Sequence, residues 1–141
     1  MPSSELSYDL RSAIASSALF RASLERTDTY RAYALRHIRS FSRGSVEVRS
    51  GDWIIAFANG VSVVARVREI IEVFLPGGPV LRAMLSDARQ VHFEDPTRGC
   101  VISVLRTQPA SDMYACLENM SVHEVYCDDR DPSLLTFNYI Y

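Results

Sequence analysis

The residues best suited to recognising a partner are aromatic. Trp53, the single tryptophan of the 141-residue chain, opens the run Trp53-Ile54-Ile55-Ala56-Phe57, and Tyr30 and Tyr33 precede it. Aromatic faces converging on a cation contribute ~0.5 to 2 kcal/mol each, and such side chains also anchor an extended peptide lying beside a strand. Tyr30, Tyr33, Trp53 and Phe57 are therefore the candidate peptide-binding residues, against the alternative that they pack as core or rim. A second set is basic. Arg31, Arg36, Arg39 and Arg43 interleave with Tyr30, Tyr33 and Phe41, a combination that joins phosphate contacts to base stacking. The alternative there is the exposed face of a half-buried strand.

Catalysis finds no comparable set. Asp52, Glu69, Glu72, Asp128, Asp129 and three histidines fall into no nucleophile-elbow, zinc-protease, phosphate-loop or dinucleotide-binding pattern, which predicts a non-enzymatic protein. Glu69 and Glu72 read as the solvated side of a strand. A metal site would have to draw on Cys100, Cys116, His123 and Cys127. No Cys-x-x-Cys is present, and ligands on alternating strand faces rarely converge. Buried thiols acting as small hydrophobes are the simpler reading, with no metal, no cofactor and no structural disulfide.

The charge is unusual in kind. All fifteen basic residues are arginine, and the net charge is −2. A coding bias toward arginine explains this without function, whereas guanidinium is also the group of choice for bidentate contacts to carboxylate or phosphate. Five arginines lie between Tyr30 and Arg49 against Glu47 alone, and six acids lie between Asp112 and Asp131 against Arg130 alone. A net negative charge argues against a general nucleic-acid binder, and one end of the protein is expected to be basic and another acidic.

These residues must be held by strands. Two β-rich runs, Trp53 to Ala58 and Val61 to Phe74, flank Asn59-Gly60, the pair that suits a two-residue hairpin turn. The second run is long enough to predict a bulge near Arg66 to Glu69. Upstream, Tyr30 to Phe41 reads as a strand and Ser42-Arg43-Gly44-Ser45 as a turn into Val46 and Val48. Gly51-Asp52 makes a tight bend, the aspartate accepting backbone amides. Downstream, Leu75 to Pro79 reads as a loop, Val80 to Leu85 as a strand, and Ser86 to Gly99 as ambiguous. Cys100 to Leu105, Met113 to Leu117, Ser121 to Cys127 and Leu134 to Tyr141 complete the strands. From about Ser4 to Leu24, Leu6, Leu10, Ile14 and Ala18 recur at near-helical spacing, predicting an amphipathic helix. The expected fold class is mainly β: a small, half-open β-barrel with an N-terminal helix. One domain is expected, residues 1–26 forming the helix that packs on it and 27–141 the barrel.

Val46, Gly51, Asp52, Ile54, Ala65, Arg66, Val67 and Ile70 match the core of the bromo-adjacent homology (BAH) module, in which Gly-Asp precedes an apolar strand and a strand with an Arg-Ile-x-x-Ile-like pattern follows. The match covers about a fifth of the chain. The stretch from Met113 through Val122-His123-Glu124-Val125 to Tyr141 is similar to the closing segment of BAH-like regions in large proteins encoded by fungal transposable elements. The resemblance implies an SH3-like barrel that mediates protein contacts, commonly in chromatin. Some BAH modules hold methylated lysine in an aromatic cage; the corresponding region here, Leu81 to Pro96, offers only His92 and Phe93.

The expected function is a non-enzymatic interaction module that takes an extended peptide, a histone tail among the partners the resemblance implies, in a groove near Trp53. Nucleic-acid binding through Arg31 to Arg49 is the alternative. A third reading is self-association through the helix stripe at Leu6, Leu10 and Ile14. The first ten residues carry no secretory signal and no apolar run is long enough to span a bilayer, so an intracellular and, from the resemblance, nuclear setting is expected.

Overall fold

The computed structural model describes residues 17–24, 26, 32, 34–44, 46–58, 60–91 and 101–139. Among them are one short helix, α1 (Ala18–Leu24), and ten strands. These are β1 (Ala34–Ile38), β2 (Ser40–Arg43), β3 (Val46–Arg49), β4 (Trp53–Ala58), β5 (Val61–Leu75), β6 (Gly78–Val91), β7 (Val101–Leu105), β8 (Ser111–Cys116), β9 (Ser121–Asp128) and β10 (Leu134–Tyr139). Eight strands form one antiparallel sheet in the order β7-β10-β9-β4-β5-β6-β8, with β1 paired to β5 off that path; β2 and β3 form a separate hairpin. The sheet curls into a half-barrel, so the expected mainly β, half-open architecture holds. No described helix is long and apolar enough to cross a membrane.

β4 sits between β5 and β9, and both of its faces are covered. Ile54 and Ala56 enter one core with Ala65, Val67, Ile70 and Leu85, while Ile55 enters another with Val64, Ile102, Val125 and Phe137. A strand buried on both sides reads as a continuous apolar run rather than an alternating one, which is why Trp53 to Ala58 contains no charge. The β2-β3 hairpin lies over the first core, inserting Phe41 and Val48 while its alternate residues face solvent.

The β5-β6 hairpin is the frame of the molecule. β5 has 15 residues, and the first part of one edge pairs with β4 and the last part with β1, its other edge pairing throughout with β6. Two register shifts separate these halves. Between Val64 and Arg66 the extra residue lies in β6, where Asp87 takes φ +53°; between Val67 and Glu69 it lies in β5. The bulge anticipated near Arg66 to Glu69 is therefore present, doubled, and it bends the hairpin as such insertions do. Two segments differ from expectation. Leu75 to Pro79 is a tight turn, Leu75 pairing directly with Gly78, and β6 runs on to Val91 through the polar stretch that the sequence leaves ambiguous.

The N-terminal helix expected from Ser4 to Leu24 is not supported: of that segment only the seven-residue α1 is helical among the described residues, and Leu6, Leu10 and Ile14 lie outside them. Leu19, fully buried, packs against Ile71 and Val73 of β5. Glu69, far from being simply solvated, accepts hydrogen bonds from the Ser17 hydroxyl at 2.9 Å and the Leu19 amide at 3.3 Å. Its carboxylate thus satisfies an amide that the first helical turn leaves without a partner. Glu72 likewise pairs with Arg36 at 2.6 Å.

Candidate functional site

A concavity of about 520 Å³ forms a mouth lined by the start of β4, the bulged middle of β5-β6 and the end of β9. Trp53 is placed there by the Gly51-Asp52 turn. Gly51 adopts φ +99°, a conformation that disfavours any residue with a Cβ. The Gly51 amide donates to Val67 at 2.7 Å, and an Asp52 carboxylate oxygen accepts the Arg49 amide at 2.9 Å. These bonds fix where β4 begins. Trp53 then stands partly buried against the core of Ile55, Val64, Val125 and Phe137, its ring 5.1 Å from that of Phe137.

Directly paired residues of antiparallel strands share a face, and the register puts Val125, Trp53 and Arg66 in one row across β9, β4 and β5. The next row holds His123, Ile55, Val64 and Arg89. Two guanidinium groups from sequence positions 23 apart thus reach the same inner face as the tryptophan. Arg106, just beyond β7, supplies a third at the same mouth. Each is held by main-chain carbonyls. Arg66 Nε donates to Gly51 at 3.1 Å; Arg89 donates to Gln108 at 3.4 Å and to Asp87 at 3.3 Å; Arg106 donates to Asp129 and Asp131. Gln108 also donates to the Gln90 carbonyl at 3.0 Å, stitching the turn after β7 onto the end of β6.

Four carboxylates line the same concavity: Asp52, Asp87, Glu124 and Asp129. Burial pushes the Glu124 carboxyl above its ordinary value, and repulsion from Asp52 adds to the effect while Arg49 opposes it. Burial likewise raises the Cys127 thiol, with Asp129 pushing the same way and Arg106 opposing. A raised thiol is a poor nucleophile and a poor metal ligand at neutral pH.

The sequence candidates are dispersed by the fold. Tyr30, Tyr33 and Arg31 lie outside the described residues. Phe57 is four residues along β4 from Trp53, stacks edge-on against His123 at 5.8 Å between ring centres, and borders a separate, shallow depression with Met120 and Ser121. Arg36 is tied to Glu72, and Arg43 donates to the Met120 carbonyl at 2.7 Å while lying over the Phe41 ring. Arg39 joins His37, Arg49, Arg68 and Glu47 around a second concavity of about 610 Å³. His123 and Cys127 share a strand face but sit four residues apart, about 13 Å along a strand, too far for one ion. Cys100 is outside the described residues, and among those described no group of three or more His, Cys, Asp or Glu side chains is arranged to hold a metal.

Arg66, Arg89, Arg106 and Asp87 are the site residues that sequence reasoning passes over. Nothing local marks them as a set, because the register of two hairpins brings Arg66 and Arg89 together and the turn after β7 adds Arg106. The one trace was the polar break Ser86-Asp87-Ala88-Arg89-Gln90 inside an otherwise apolar strand, which is how a bulge beside a site reads. Compared with known proteins, the chain matches no family model, no curated protein and no solved structure.

Proposed function

We propose that this protein is a non-enzymatic interaction module, BAH-like in character, that captures an extended peptide at the mouth of the half-barrel with Trp53 as its anchor. The observation that carries the reading is the position of Trp53: partly buried, packed against the core of Ile55, Val64, Val125 and Phe137, and bordering the concavity of about 520 Å³. Barrel mouths are common binding sites, and an aromatic anchor in a preformed recess loses little conformational freedom on binding. Association with chromatin and a nuclear setting follow from the BAH resemblance alone.

A second reading, nucleic-acid binding, is favoured by the concavity around His37, Arg39, Arg49 and Arg68, where one acid, Glu47, accompanies three arginines. The two readings separate by salt. Because Trp53 is the only tryptophan, its fluorescence reports on the mouth alone. Titrating the whole chain with histone-tail peptides, with and without lysine methylation, and with short single- and double-stranded nucleic acids decides between them. Peptide-induced shifts in Trp53 emission that persist between about 50 and 200 mM salt are expected; a complex making six to ten phosphate contacts loses about 10³- to 10⁵-fold over that range. Salt-sensitive nucleic-acid binding with no peptide response would reject the peptide reading.

A further inference from the structure

Four arginines outside the mouth meet carboxylates at short range. Arg36 pairs with Glu72 at 2.6 Å, Arg82 with Glu118 at 2.7 Å, Arg130 with Asp128 at 2.7 Å and Arg49 with Glu47 at 3.1 Å. The three in the mouth do not. Arg66, Arg89 and Arg106 form no ion pair with any described residue, and their hydrogen bonds go to neutral carbonyls. Among the described residues, carbonyls rather than carboxylates hold these three groups in place. Arg89 is the sharpest case, since it is only 9% exposed. A guanidinium withdrawn from water costs free energy, part of which a well-placed anion offsets.

We propose that the mouth is an oxyanion receptor, in which Arg89, Arg66 and Arg106 take a carboxylate side chain of the bound peptide while Trp53 covers the residue beside it. This rests on the peptide reading above and names the chemistry of its ligand. Guanidinium groups offer planar, paired N–H donors that match the two oxygens of a carboxylate. The chain gives each Nε of the trio a fixed carbonyl partner, which holds the plane of the group in place. Asp52, Asp87, Glu124 and Asp129 outnumber the three guanidiniums at the same mouth, so no net positive field draws an anion in. Recognition therefore works by direct contact rather than by long-range attraction, and a peptide that carries an acid flanked by a base fits better than a uniformly acidic one. The β6 bulge at Asp87 is part of the device. It gives Arg89 a carbonyl partner two residues away and marks the register break between Ser86 and Arg89.

The test uses the whole chain and the best-binding peptide from the Trp53 titration, acetylated at its N-terminus and amidated at its C-terminus so that its side chains carry the only carboxylates. Replacing its glutamates one at a time by glutamine is expected to weaken binding about tenfold at one position, the size of one lost charge-assisted contact. The same loss is expected in Arg66→Gln and Arg106→Gln variants, whose side chains are exposed and dispensable for the core, and the glutamine peptide should bind these variants no worse than it binds the wild type. A phosphoserine at the sensitive position that binds more tightly than glutamate would support the receptor and assign phosphate as its natural oxyanion. Equal affinity for all glutamate and glutamine peptides, with Trp53 still responding, would overturn the receptor and leave peptide capture standing. If no peptide alters Trp53 emission, both readings fail together.

Discussion

Arg82 shows how a charged residue serves the core of this protein. It is 1% exposed, pairs with Glu118 at 2.7 Å and donates to the Tyr114 hydroxyl at 3.4 Å, which in turn donates to Ser23 of α1 at 3.1 Å. The network ties α1, β6, β8 and the turn at Leu117–Asn119 together. Arg82→Met keeps most of the volume but strands Glu118. Breaking a buried pair usually costs 3–5 kcal/mol, and Glu118, 26% exposed, can recover some hydration, so a loss of about 3 kcal/mol is expected in urea denaturation. Glu124 provides the opposite case. Its carboxyl is raised in the folded protein, so its ionisation opposes folding: the penalty is absent below the ordinary glutamate range and complete once pH exceeds the raised value. Glu124→Gln should therefore melt higher than wild type at pH 7, with the difference vanishing by about pH 4, near the ordinary glutamate value. A constant difference across that range would contradict the linkage. No sequence pattern distinguishes these two residues from surface charges, because burial and partners come from strands far apart in the chain.

Element by element, legibility follows how local the determinants are. The β4-β5 hairpin was readable because Asn59-Gly60 and its apolar flanks act within a few residues, and Ala58 does pair with Val61. The Gly51-Asp52 bend was readable for the same reason. The extension of β6 beyond Leu85 was not, since Ser86 to Gln90 is polar and only pairing with β5 and, at Ala88, with β8 keeps it extended. The β6 bulge makes its own prediction. Asp87 sits at φ +53°, a region that aspartate tolerates and a β-branched residue does not. Asp87→Val should cost about 1–3 kcal/mol, whereas Asp87→Gly should be neutral or slightly stabilising in the same denaturation experiment. Equal losses for both variants would mean that the aspartate side chain, and not its backbone, matters there.

For the whole molecule, the curl of the sheet decides what the surface offers. It turns the inner faces of β4, β5, β6 and β9 toward one opening, and so gathers Trp53 with three guanidiniums that the sequence scatters over forty residues. Trp53 was legible as a candidate because it is a single conspicuous residue. The arginines were not, because Arg66 and Arg89 share a face only once the register of β5 with β4 and β6 is set, and Arg106 joins them from the turn after β7. The most direct test of peptide capture at this mouth follows amide chemical shifts of the wild-type chain during titration with the peptide that most strongly shifts Trp53 emission. The account predicts saturable changes concentrated at Asp52, Trp53, Arg66, Asp87, Arg89 and Arg106. Changes centred instead on His37, Arg39, Arg49 and Arg68, or no saturable change at the mouth, would contradict it.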